Sequence, residues 1–203
     1  MRNIFTLLLA AALLFAFAGC VKQPDASKPA ETPVPDSTSD QGQDDMPIET
    51  ENLALKIMLN IWEQFQGNKE DFVGGCNTEY QMATPWQVPL SDTDFLQGAL
   101  FLSDGQCQKV TGAASLMHGL NTNNLTVGTI ALEAGTDYKA FAKEVKERIL
   151  QNQWVCGRPG GLRIVKVENC LLILYGTGTY SGSFVDALNT AYPDAEILCQ
   201  ETI

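Results

Sequence analysis

Between Val21 and Thr50 this chain has five prolines and no aromatic residue, and Ser, Thr, Asp and Gln make up much of the rest. A stretch that polar cannot bury enough apolar surface to offset the entropy of ordering it. Its seven acids against two lysines repel one another and keep it extended, with a mean reach of roughly 30 Å at this length. Any packed core is therefore confined to residues 51–203, a length sufficient for one domain with a sizeable interior.

Ahead of the polar stretch, Arg2 precedes an apolar run from Ile4 to Ala18 interrupted only by Thr6. That run is shorter than the roughly 20 residues needed to cross ~30 Å of hydrocarbon. It matches the apolar part of a secretory signal. The run ends in Phe17-Ala18-Gly19-Cys20, small residues set directly before a cysteine. This ending resembles the signal of bacterial lipoproteins. The resemblance implies cleavage before Cys20 and a diacylglyceryl group on its thiol, whose two hydrocarbon chains suffice for stable anchoring. It also implies a place at the cell membrane, facing outside the cytoplasm. An ordinary secretory signal, cut nearby, is the competing reading and would release a free protein. The expected organisation is a signal peptide over 1–19, lipidated Cys20 with a disordered acidic linker over 20–50, and one domain over 51–203.

Of the formal charge of −11, a share of −7 falls within 51–203. An acidic domain is a poor partner for nucleic acid, which rewards clustered Lys and Arg, and for anionic lipid. The one dense basic run, Lys139, Lys143, Lys146 and Arg148, is interleaved with Glu144 and Glu147 and reads as a solvated helix face.

Periodicity predicts a helix over 51–66 capped by Thr50, with Leu53, Ile57, Ile61 and Phe65 on one face. Residues 68–90 read as irregular, broken by Gly74-Gly75, Pro85 and Pro89. Ser91-Asp92-Thr93-Asp94 resembles a capping box opening a short helix to Leu102. Strands over 108–118 and 125–134 flank the turn at 121–124. The clearest element is a helix over 137–153, whose apolar stripe is Tyr138, Phe141, Ala142, Val145 and Ile149. A hairpin over 162–175 turns at Glu168-Asn169. A helix over 181–192 and an extended tail near 196–199 complete the chain. The order ααββαββα implies an α+β fold with one antiparallel sheet of about four strands and helices packed on one face.

Several of these segments resemble a family of small lipoproteins from clostridial-type bacteria, a domain of unknown function. The resemblance spans about residues 51–198. It is carried by the Ser91–Leu102 helix start, Ala113-Ala114-Ser115-Leu116-Met117, Thr129-Ile130-Ala131-Leu132-Glu133 leading into 137–153, and the 163–175 hairpin before Phe184-Val185-Asp186-Ala187-Leu188. It implies a fold and an address, and no catalytic residues. The cysteines and the Gly-rich 157–161 loop depart from the family pattern.

Candidate chemistry is sparse. Cys76, Cys107, Cys156, Cys170 and Cys199 contain no C-x-x-C pair, so zinc-ribbon and thioredoxin-like motifs are absent. Disulfides are permitted outside the cytoplasm. Cys76 and Cys107, both at loop or boundary positions, are the candidate bridge, while Cys170 and Cys199 read as buried apolar residues. His118, the single histidine, would serve a nucleophile only beside a Ser or Cys and a carboxylate; otherwise it is an ordinary polar residue at a strand end. Gly176 to Gly182 reads as a flexible strand-to-helix turn, with anion binding at a helix start as the alternative. Among the aromatics, Trp62 and Trp154 read as core, and Trp86 is the one expected to be exposed for binding, with Tyr80 as a companion. No cofactor or metal is expected. The reading that follows is a non-enzymatic, membrane-anchored binding or accessory module with a cell-envelope protein or cell-wall partner. The alternative is an extracytoplasmic enzyme or thiol-redox protein using a domain cysteine or His118.

Overall fold

A computed structural model describes residues 52–203. The signal segment, Cys20, the acidic linker and the Thr50 cap lie outside the described residues. The first helix, α1 (Leu53–Gln64), is capped instead by Asn52, whose side chain accepts from the Leu55 N–H at 3.2 Å. Its buried residues, Ala54, Ile57, Met58, Ile61 and Trp62, follow the i, i+3, i+4, i+7, i+8 stripe of a helix packed on one side.

The segment expected to be irregular holds a single 3₁₀ turn (Lys69–Asp71) and three short strands, β1 (Phe72–Gly75), β2 (Tyr80–Met82) and β3 (Trp86–Gln87). These strands rest on glycine and not on alternation. At Gly74 the backbone of Thr84 and Trp86 occupies the space that a Cβ would need, so only glycine lets the chain fold back this closely.

The expected helix to Leu102 ends early, at Gly98, and a second short helix follows beyond Leu102. α2 (Thr93–Gly98) is capped by Asp92, which accepts from the Phe95 N–H at 3.0 Å. α3 (Asp104–Cys107) opens on a capping box made by Ser103 and Gln106. Between them Phe101 takes φ +58°, a left-handed conformation that ends the first helix and turns the chain. Gln106 is buried and donates to the Phe141 carbonyl at 3.0 Å, tying α3 to the next long helix.

The remaining elements lie close to expectation: β4 (Val110–His118), β5 (Leu125–Leu132), α4 (Tyr138–Gln151), β6 (Gly161–Val167), β7 (Cys170–Gly176), α5 (Gly178–Ala191) and β8 (Glu196–Thr202). The tail expected near 196–199 is a full edge strand paired with β6. The sheet is antiparallel throughout, with eight strands in the order β2-β1-β4-β5-β7-β6-β8 and β3 added beside β4.

The α+β class and single antiparallel sheet stand, but eight strands replace the expected four, and the helices do not share one face. One core joins α1 and α5 to Ala114, Leu116, Val127, Val165, Leu172 and Leu174. The other joins α2, α3 and α4 to the alternate strand residues, among them Ala113, Ile130, Ile164, Leu171 and Ile173. Successive side chains of a strand point to opposite faces, so covering both faces buries the whole strand. All eight residues of β5 and all seven of β7 are buried. At Gly128 a Cβ would collide with the Leu100 side chain; the bare backbone lets the α2–α3 connection seat directly on the sheet.

Candidate functional site

Two loops meet at the end of the sheet where β4 turns into β5. The Asn123 side-chain amide donates to the carbonyls of Val155 at 2.7 Å and Gly157 at 2.6 Å, and that of Asn121 to Cys156 at 3.2 Å. Asparagine is suited to this, since its two N–H donors can bridge two carbonyls of an irregular segment. The segment needs such support because Cys156 and Gly157 both take positive φ, +64° and +105°. Clamping the segment fixes the position of Trp154.

Trp154 packs against Phe101 and Tyr175, with ring centroids 5.6 Å and 5.3 Å away, while Phe101 and Tyr175 are 5.7 Å apart in an edge-to-face pair. The left-handed backbone of Phe101 aims its ring into this group. The Arg148 guanidinium of α4 donates to the Phe101 carbonyl at 2.8 Å and holds it there. Tyr175 is buried and donates its hydroxyl to the Ala99 carbonyl at 3.0 Å. Desolvation pushes its pKa up to about 12, so it stays a neutral donor.

Beside the three rings lies an open cavity of about 480 Å³, within the size range of small-ligand sites. Its polar lining includes Asn77, Asp94, Asn152 and Gln153, side chains that make no hydrogen bond or ion pair with other described residues. Trp154 Nε1 is itself buried and has no hydrogen-bond partner, alone in this among the buried side-chain nitrogens and oxygens of the described residues. Leaving a buried donor unpaired costs on the order of 1–3 kcal/mol, a cost that native structures seldom carry without a reason.

Other candidates from the sequence have structural roles. His118 is buried. Its Nδ1 accepts the backbone N–H groups of Leu120 and Asn121 at 3.3 Å and 3.2 Å, and its ring meets Tyr180 edge-on at 4.8 Å. It shapes the β4–β5 turn, and none of its hydrogen bonds with described residues involves a Ser, Cys or carboxylate. Cys76 and Cys107, read from the sequence as bridge partners, are free thiols, as are Cys156, Cys170 and Cys199. Cys76 Sγ lies 3.2 Å from Thr78 Oγ1. Burial raises the pKa of Cys107, with Asp104 adding to it; burial also raises that of Cys199, and that of Cys170 to about 12. Raised values are the reverse of what an attacking thiolate requires.

Trp86 sits on β3 opposite Ser115, partly buried, and Trp62 is in the core, as expected. The tryptophan that lines this cavity is Trp154, which the sequence reading assigned to the core. Its one signal was position: beyond the end of the α4 stripe and flanked by Asn152, Gln153 and Val155, all exposed. Gly176 ends β7, Gly178 begins α5 and Gly182 lies within it, so in place of the expected flexible turn only Thr177 separates strand from helix; β7 is antiparallel to both neighbours, outside any β-α-β unit. The basic face of α4 is solvated, with Lys139, Lys143 and Lys146 paired to Glu196, Glu147 and Glu201 at the surface.

Among the described residues no group of His, Cys, Asp and Glu is arranged to hold a metal ion, and no helix is long and apolar enough to cross a membrane. No family model, curated protein or solved structure matches this chain.

Proposed function

We propose that this protein is a lipid-anchored, extracytoplasmic binding module of the small clostridial-type lipoprotein family, tethered through Cys20 and turned toward a partner in the cell envelope. The observation that carries the binding reading is the Trp154 cavity, lined by three packed rings and by amides that make no hydrogen bond with other described residues. The address rests on the apolar run ending in Ala18-Gly19-Cys20 and the acidic stretch behind it.

The layout of the domain supports the tethered reading. Asn52, the first described residue, donates to the Ala113 carbonyl and abuts Gly112, near the start of β4. The cavity involves Met117, Thr122 and Asn123 at the other end of that strand. The five steps from Gly112 to Met117 on β4, at about 3.3 Å each, separate the two by roughly 15 Å. A linker with a mean reach of roughly 30 Å would give the cavity room to meet a partner clear of the bilayer. The non-enzymatic reading is supported by His118 Nδ1, engaged by two backbone N–H groups, and by the Cys107, Cys170 and Cys199 thiols, whose pKa values burial raises.

In-cell crosslinking of the full-length chain, with a Cys20→Ser form beside it, tests the proposal. The expected result is membrane recovery of the native chain, release of the Cys20→Ser form, and a specific crosslinked envelope component. Equal membrane recovery of both forms would refute the anchor, and the absence of any specific partner would refute the module.

A further inference from the structure

We infer that the Trp154 cavity binds a neutral glycan bearing acetamido groups, seated with one sugar face against the indole. The inference rests on the binding-module reading and names its ligand class.

The lining selects the chemistry. Three of its free polar side chains, Asn77, Asn152 and Gln153, are neutral amides, each offering both donors and an acceptor. A carbohydrate hydroxyl is likewise both donor and acceptor, so a ring of amides suits it as it suits few other ligands. Asp94 adds an acceptor for paired hydroxyls. No Lys or Arg lines the cavity, and the described domain is acidic, so phosphates and carboxylated ligands are repelled. A lipid chain would strand the amides without partners.

The aromatic floor selects the same class. The C–H face of a pyranose is apolar and flat, and it covers an aromatic face while its hydroxyls reach outward to the rim. Of the three rings, Trp154 is the partly exposed one, while Phe101 and Tyr175 lie buried behind it. They keep it from collapsing inward. An acetamido group is itself an amide, so its N–H and carbonyl pair donor to acceptor with Asn77, Asn152 or Gln153 at the lining. The position is pre-set: Asn123 clamps the loop on one side and Arg148 holds Phe101 on the other, so little ordering remains to be done on binding.

The test uses the full-length protein in detergent micelles, titrated with tetra-N-acetylchitotetraose and followed by tryptophan fluorescence and saturation-transfer NMR. Saturable binding is expected, with the acetamido methyls receiving the strongest transfer. Trp154→Phe and Gln153→Ala should each weaken it about tenfold, and Trp86→Phe should leave it unchanged. Gln153 is exposed, so its variant keeps the test decisive if the Trp154 variant folds poorly. Binding unaffected by both cavity variants would overturn the site. Equal affinity for maltotetraose would overturn the acetamido preference. Displacement by a sugar-free peptide at lower concentration would overturn the glycan class in favour of peptide. No saturable binding of any of these oligosaccharides up to about 10 mM would also overturn it. A specific crosslinked protein partner recovered alongside that result would leave the module reading standing, so the two failures are distinguishable.

Discussion

Trp62 and Trp154 are the same side chain used in opposite ways on the two faces of one sheet. Trp62 is 5% exposed, stacks on Phe65 at 4.7 Å and meets Phe72 edge-on, and its Nε1–H reaches the Ala83 carbonyl at 3.1 Å. Every requirement of a buried indole is met there. Trp154 also has two aromatic neighbours, yet its N–H has no acceptor and a cavity opens beside it. The difference lies in the supporting backbone. Trp62 sits within α1, a regular helix packed on the sheet beside α5, whereas Trp154 hangs on an irregular segment held by asparagine clamps. A closed, satisfied indole contributes stability; an open, unsatisfied one is available to a ligand.

The contrast can be broken most directly by removing the closed indole. Trp62→Ala should cost about 3–5 kcal/mol, read as a lowered denaturant midpoint, and a loss below about 1 kcal/mol would show that its surroundings are not packed as described. The next largest effect concerns alkaline pH. Cys170 and Tyr175, on opposite faces of β7, both have folded-state pKa values raised to about 12, from 9.0 and 10.0. A raised value means that the unfolded chain loses its proton first. Stability is thus intact below about pH 9 and falls as pH climbs toward 12. Cys170→Ala should flatten the part of that fall nearest pH 9, and an unchanged alkaline profile would count against the assignment.

Ser115 ties the neighbouring strand into the first face. Its hydroxyl donates to the Gly75 carbonyl and accepts the Gly75 N–H at 3.0 Å. Ser115→Ala strands both buried groups and should cost about 1–3 kcal/mol, with faster amide exchange at Gly75 as the local marker. The smallest effect sharpens the comparison best. Trp154→Phe removes an orphaned donor, recovering about 1–3 kcal/mol against a packing loss of about the same size, so the net change should stay within about 1 kcal/mol, whereas Trp62→Phe, which strands the Ala83 carbonyl on top of its packing loss, should cost about 2 kcal/mol or more. Equal losses at the two positions would erase the distinction drawn between them.

Local patterning carried much of the fold. The α4 stripe through Phe141, Val145 and Ile149 and the hairpin around Glu168-Asn169 were legible because period and turn chemistry are properties of neighbouring residues. The strands β1–β3 were not, because they depend on Gly74 admitting a distant backbone. The second helical layer was also misjudged, although β5 and β7 carry no charged residue on either side of the pleat, the mark of a sheet covered twice.

The sequence by itself determined where a core is possible, which segments are helix or strand outside residues 68–107, and that the candidate anchor lies ahead of an acidic linker. Tertiary structure alone decided that the sheet has eight strands covered on both faces. It also decided which tryptophan is closed and which is open. Composition and periodicity act through residues near in the chain, whereas the acceptor of an indole N–H is chosen by whatever folding brings beside it: Ala83 for Trp62, and no group among the described residues for Trp154.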